Sequence, residues 1–381
     1  MDIIRTDKSV VKRWWWSIDR ITLTAIFALM LIGTMLVAAA SPSVAERIGL
    51  NPFYFTNRQI IFMIPTIMAM MFMSFMNRKN LWRISSLVTV VSVLLMFALL
   101  IIGFHTKGAT RWITFLGFSL QPSEFVKPAF AVSSAWLMNR SQYEPSFAGH
   151  KIVLGLFITI VGLLLLQPDI GMTFVTCCIW GVQLFLSGIS MFIVCVLGAI
   201  AIVGLMIVYL TFPHFASRLN RFINPASGDT YQVEKSIDAF TNGGLWGTGP
   251  GHGEVKMNLP DAHADFIFSV AGEEFGMIFV IILISIFCFI IIRSVIRIFR
   301  HDDMFVILAV GGLLTQFSVQ SLVHMGSSLQ LLPAKGMTLP FISYGGSSLL
   351  SLGFAMGMLL SLTSKKMQSD FSVENRRFIH G

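Results

Sequence analysis

Charge is what this chain lacks. Only 12% of its 381 residues are Asp, Glu, Lys or Arg, about half of what an ordinary soluble domain carries. That deficit excludes a water-soluble globule, because the hydrophobic residues, at 55%, exceed what a single aqueous core can hide. Cysteine is scarce as well. Cys177, Cys178, Cys195 and Cys288 all sit inside apolar runs without metal-ligand spacing, which argues against a disulfide framework or a structural zinc site. No polar stretch is long enough to fold as a separate domain. No glycine pattern matches a nucleotide-binding fingerprint.

What the sequence has instead is a succession of membrane-length apolar runs. Ten candidate spans fall near 21–40, 60–76, 82–103, 122–138, 152–167, 169–187, 191–211, 265–292, 304–325 and 340–362, which predicts an all-α, polytopic integral membrane protein. The chain divides into an N-terminal tail (1–20), one ten-helix membrane domain (21–363) and a C-terminal tail (364–381). The longest loop, 212–264, lies between spans seven and eight. The basic N-terminal flank and the AAASP stretch at 38–42 imitate a signal peptide. The apolar segment between them is too long for that, and it reads as a retained first helix.

Lys and Arg set the orientation. With both termini inside, the cytoplasmic pieces hold seventeen of them and the outer loops nine. The net charge of +8 is then mostly this inside bias, and it points to anionic membrane lipids rather than nucleic acid.

The outer face repeats a pattern. Pro122, Pro168, Pro260 and Pro340 each stand where a span begins, a position that suits a residue without an N–H. Glu124, Asp169 and Asp261 follow closely. Capping of the positive helix end accounts for an acid there, and for Asp169 and Asp261 capping and function stand side by side. Capping does not account for Glu124 followed one turn later by Lys127. Ionisable groups inside a span must face protein or water, so this is either a self-neutralised structural pair or a site that handles charge.

The segment LPDAHADFIFSVAGEEFG (259–276) carries the densest chemistry. Asp261 and Asp265 would share a helix face, with Gly272 and Gly276 close to it, admitting a neighbouring helix or a ligand. Glu273 and Glu274 would lie about 12–14 Å deeper at 1.5 Å per residue, near mid-membrane, hydrogen-bonded to neighbouring helices. Lys107, Arg111 and Trp112 precede the Glu124 helix, and Lys335 precedes the last span. The glycine-rich GGLWGTGPGHG (243–253) either lies over a ligand or is a plain flexible loop. Carboxylates that hold a divalent cation or act as a base, beside cations suited to phosphate, fit a phosphorylated, lipid-linked substrate at the outer leaflet.

KGATRWI, LQPSEFVKPAF, QPDIGMT, the Gly-Leu-Trp-Gly-Thr-Gly loop, LPDAHADFIFSVAGEEFG and KGMTLPFISYGGSS together resemble the successive signatures of the FtsW/RodA family. This is the SEDS group of bacterial peptidoglycan polymerases, and the division branch is resembled more than the elongation branch. The resemblance runs from about residue 20 to 365. It implies a glycosyltransferase of the cytoplasmic membrane and the division septum, which polymerises lipid II beside a class B penicillin-binding protein and other division proteins. It implies Asp265 as the catalytic acid, with Glu124, Lys127, Arg111, Asp169, His263 and Lys335 at the substrate or pyrophosphate. Mg²⁺ or Mn²⁺ is the implied cofactor, with Asp265 as its alternative role of ligand. Ala264 stands where the family has Thr. The rival readings are a lipid II flippase, for which mid-membrane Glu273 and Glu274 would suit a translocation path, and a non-catalytic division scaffold.

Overall fold

The structure, a computed structural model, describes residues 10–102, 111–115, 118–224, 231–299, 301–333 and 336–364. A short amphipathic helix, α1 (Val10–Ser17), leads into α2 (Arg20–Ala45), capped by Asp19, whose carboxylate accepts the Ile21 N–H at 3.2 Å. Then follow α3 (Tyr54–Phe75), α4 (Arg78–Ile102), α5 (Pro122–Tyr143), α6 (Gly149–Leu166), α7 (Ile170–Leu186) and α8 (Met191–Thr211). The long loop holds α9 (Pro213–Ile223) and α10 (Tyr231–Gly243), and the chain closes with α11 (Ile267–Ile298), α12 (Met304–Ser328) and α13 (Gly346–Leu362). Each of the ten expected spans has its helix. Two three-residue strands, Ile113–Phe115 and Phe118–Leu120, form an antiparallel hairpin before α5, a feature with no counterpart in the hydropathy pattern.

Seven helices combine the length and apolarity needed to cross a membrane, while α7 and α13 are shorter apolar helices. The tenth, α5, is too polar to qualify by composition. It is surrounded instead by α4, α6, α7, α12 and α13, so its polar side chains face protein rather than lipid. Close packing against α13 uses small residues. A methyl group on Gly353 or Gly357 would come within 2.6 Å of Thr66 O or 2.4 Å of Met70 O on α3, a four-residue small-residue spacing that lets backbones touch. By contrast, α8 is unburied along its whole apolar stretch.

Three expectations change. Of the four prolines, only Pro122 opens its helix; Pro168, Pro260 and Pro340 lie in turns that precede α7, α11 and α13. The loop 212–264 is substantially helical. And α11 is not one continuous span, because Gly276 takes φ 77°, ψ 177° and divides it into a buried segment, 267–275, and a long apolar helix.

The two ends of the bundle differ in chemistry. At one end Asp19 is held by Arg293 (2.7 and 2.9 Å) and Arg297 (2.9 Å), and Asp303 pairs with Arg78 at 2.7 Å. At the same end Arg297 donates to Thr363 O. The other end gathers the outer motifs.

Candidate functional site

Asp265 sits in a tight turn, not on the helix expected for it. The N–H groups of Ala264 and Asp265 both donate to Asp261 O, at 2.9 and 3.0 Å, so one helical turn is closed while α11 begins only at Ile267. Asp261 has φ 50° and is exposed, so its carboxylate caps no helix. Two other segments seat the turn. Arg47 donates to Leu259 O (2.7 Å), Tyr344 N–H to His263 O (3.0 Å) and the Ser343 hydroxyl to Ala264 O (2.7 Å). The buried His263 ring stacks on Phe55, centroids 4.0 Å apart, with Tyr344 at 5.2 Å. These contacts hold the ring in the turn.

The Asp265 carboxylate is half-buried and borders Gly336, where a methyl group would stand 3.8 Å from it. Desolvation, then the neighbouring Asp261 charge, push its pKa up to about 7, with Arg218 pulling the other way. A carboxyl that exchanges its proton near neutrality is suited to general acid–base work.

Below the turn, the glycine-rich loop is not a plain flexible segment. It repairs the break in α11. The Glu273 and Glu274 carbonyls, left without helical partners, accept from Thr248 N–H (2.9 Å) and Gly249 N–H (3.0 Å). Met277 and Ile278 N–H, likewise freed, donate to Gly244 O and Leu245 O at 2.9 and 3.3 Å. Only glycine permits so close an approach: a methyl at Gly247 would lie 2.2 Å from Glu274 O, and one at Gly276 would lie 2.4 Å from Gly247 N. The partner that Gly272 and Gly276 admit is therefore this loop, with the Phe240 ring over Gly272.

The two glutamates lock the arrangement. Glu273 accepts the backbone N–H groups of Val255 (2.7 Å) and Lys256 (2.9 Å) and the Asn242 amide (3.0 Å). Glu274 pairs with buried Lys256, whose ammonium also donates to Ala39 O on α2 at 3.0 Å. Their partners belong to the long loop before α11, not to neighbouring membrane helices as the spacing suggested. The pair lies beneath the loop, where it clasps residues 242–258 onto α11.

The α5–α7 motif also differs from expectation. Lys127 is fully buried and donates to Glu124 at 2.8 Å, with Met172 Sδ at 2.9 Å. The pair is closed on itself, the self-neutralised arrangement that the sequence left open beside a site that handles charge. Asp169 caps α7 by accepting Met172 N–H and takes the Gln121 amide, both at 3.2 Å. Arg111 lies 3.8 Å from Asp169 and donates to Gln167 O (2.7 Å) and Pro168 O. Both residues thus brace the α6–α7 corner. Lys107 and Lys335 lie outside the described residues.

The family model for the cell cycle proteins FtsW, RodA and SpoVE matches residues 20–368. The chain belongs to this family. It is 39% identical to the probable peptidoglycan glycosyltransferase FtsW of Caulobacter vibrioides, over 95% of this chain and 93% of that one. It is 36% identical to the probable enzyme of the same name from Trichlorobacter lovleyi, over 91% and 93%. Its fold is similar to that of a chain in a peptidoglycan synthase complex that coordinates polymerization and crosslinking (TM-score 0.75, 23% identity, 92% of this chain and 98% of that one). It is also similar to Thermus thermophilus RodA (TM-score 0.67, 23% identity, 92% and 97%). The chain is thus a multi-pass membrane protein of the family.

One residue whose charge bears on Asp265 was not singled out in the sequence. Arg218, on α9, was legible only as one of nine outer cations. The signal that could have singled it out is the amphipathic alternation of PHFASRLNRFI.

Proposed function

We propose that this protein is a peptidoglycan glycosyltransferase that polymerises lipid II at the outer face of the cytoplasmic membrane. The observation that carries the reading is Asp265: a half-buried carboxyl on a turn held by Arg47 and the Ser343–Tyr344 segment, with a pKa of about 7. The 4-hydroxyl of the GlcNAc on one lipid II attacks the anomeric carbon of the MurNAc on the growing chain. The new C1–O bond forms as the bond to the diphosphate breaks, with inversion. Asp265 takes the hydroxyl proton as general base, and undecaprenyl diphosphate leaves with the bonding electron pair. Asp261 and Asp265, on one turn, suit a Mg²⁺ or Mn²⁺ held by one or two carboxylates together with substrate oxygens; such an ion would neutralise charge on the departing diphosphate.

The basic end of the bundle, with Arg78, Arg293 and Arg297, supports cytoplasmic termini under the positive-inside rule. A class B penicillin-binding protein that cross-links the product, other division proteins and a septal location complete the proposal. The clasped state of Glu273 and Glu274 removes the carboxylates that a flippase reading would place along a translocation path.

Polymerisation of purified lipid II by the purified protein with its transpeptidase tests the reading. Asp265→Asn, nearly isosteric, is expected to abolish glycan synthesis without loss of folding. Wild-type rates in that variant would exclude the base role, and undiminished activity in EDTA would exclude the cation.

A further inference from the structure

In the stretch SYGGSS (343–348), Ser343 and Tyr344 hold the Asp265 turn, and the second half opens α13. The first N–H groups of a helix have no acceptor within it. Here those of Gly346, Ser347 and Ser348 meet none among the described residues. Gly345, at the cap position, brings no side chain to satisfy them. The positive end of this helix is left open.

Contacts place that end beside the proposed base. Gly336 borders the Asp265 carboxylate. Two residues on, the Thr338 hydroxyl lies 2.5 Å from that of Ser348 in the first turn of α13. A methyl group on Gly345 would stand 3.1 Å from the Thr338 methyl. With Cα atoms 3.8 Å apart along the chain, the helix end lies within roughly 17 Å of the carboxylate, a gap that a hexose and its diphosphate bridge. Of two hydroxyls in contact only one donates to the other, so one O–H remains for a ligand.

A second, independent observation points to the same place. The Gln59 side chain on α3 is 1% exposed, yet neither its amide oxygen nor its amide nitrogen has a hydrogen-bond partner. An unpaired buried amide is costly, and folded proteins seldom keep one without a reason. Its neighbours on α3 fix where it faces. Phe55, one turn before it, packs edge-on against Tyr344 with centroids 5.1 Å apart. Phe62, one turn after it, lies over Gly346, where a methyl group would come within 2.4 Å of the ring. Residues at i, i+4 and i+7 share one helix face, so the Gln59 amide faces the start of α13 between those two contacts. Gly345 and Gly346 are only partly covered, which leaves the N–H groups within reach of a ligand.

We infer that the start of α13, with the Gln59 amide and the Thr338–Ser348 hydroxyl pair, binds a phosphate of the polyprenyl diphosphate-linked sugar donor. A helix N-terminus suits phosphate because its free N–H groups and its dipole both favour an anion. The depth agrees with this ligand. From this point α13 runs on as an apolar helix, so its start marks the membrane boundary, where a lipid-linked diphosphate lies with its chain in lipid and its sugars in water. The inference rests on the glycosyltransferase reading, from which it takes its ligand.

The test measures binding of undecaprenyl diphosphate to the full-length protein in detergent, with undecaprenol and inorganic pyrophosphate as comparisons and lipid II polymerisation in parallel. Gln59→Met keeps the length of the side chain and removes its donors. It is expected to weaken undecaprenyl diphosphate about tenfold or more and to leave undecaprenol unchanged. It should melt no earlier than wild type, because the orphaned amide is gone. Ser348→Ala should act in the same direction, and it carries the test if Gln59→Met is not monodisperse. Wild-type affinity for undecaprenyl diphosphate in the variant that carries the test overturns the assignment, and so does an equal loss for undecaprenol. Inorganic pyrophosphate bound by the wild type as tightly as the lipid also overturns it, by showing a general anion site. If the wild type makes glycan while binding is indifferent to the substitution, the site falls and the enzymatic reading stays. If it makes none while binding depends on Gln59, the site stands and the enzymatic reading falls.

Discussion

Replacing Glu273 with Gln isolates the clasp, because the two side chains have nearly the same shape. In the native protein Oε1 accepts from Val255 N–H and the Asn242 amide, and Oε2 accepts from Lys256 N–H. The glutamine amide can keep its oxygen toward the first two donors, but its NH₂ then faces the third. Lys256 N–H is left buried without an acceptor, at a cost of about 1–3 kcal/mol. The two surviving bonds change from charge-assisted to neutral, which weakens each by about 1 kcal/mol. The loop should therefore lose roughly 3–5 kcal/mol of local stability, and its opening equilibrium should rise by roughly two to four orders of magnitude. Hydrogen exchange followed by mass spectrometry reads this directly. The amides of Thr248, Gly249, Met277 and Ile278 bridge the break and should exchange faster by that factor, while those of α12 keep their protection. Exchange at the four bridging amides within about threefold of wild type would show that Glu273 does not hold the loop, and the account of the broken helix would be wrong.

Three further outcomes are expected. Lys127→Met should destabilise the protein by about 3–5 kcal/mol by orphaning buried Glu124, and the double variant with Glu124→Gln should recover most of that in thermal unfolding; a stable single variant with weakened lipid II affinity would instead restore the phosphate-contact role. Gly276→Ala should abolish monodisperse expression or cost about 4 kcal/mol or more, since the methyl would collide with backbone at a φ reserved for glycine; a wild-type melting temperature would refute the close approach. The Asp265 carboxyl has a raised pKa and keeps its proton up to near neutrality, so a base role predicts polymerisation that rises with pH through about 7 and levels above it. A flat profile across that range would exclude Asp265 as the titrating base.

The sequence alone determined the architecture, because a span leaves a length of apolar residues that no tertiary contact can conceal. Ten runs gave ten helices, and the asymmetry of Lys and Arg separated the two ends. It also marked the 259–276 segment as the densest in ionisable groups, while the singling out of Asp265 within it came from the family resemblance. What it could not determine is which charges are available. On paper Lys127 is a cation within a span, and Arg111 and Lys256 are two of nine outer cations. Whether each is sealed, bound to a carbonyl or open to a ligand depends on partners far away in the chain: Lys127 on Met172, Arg111 on Gln167, and Lys256 on Ala39 and Glu274. The break at Gly276 was hidden for a related reason. Glycine is tolerated in membrane helices, so its presence there forces nothing, and only the loop that supplies four replacement hydrogen bonds makes an interrupted helix stable inside the fold. Periodicity records which face is apolar; hydrogen-bond partnership across two hundred residues is settled only when the chain has packed.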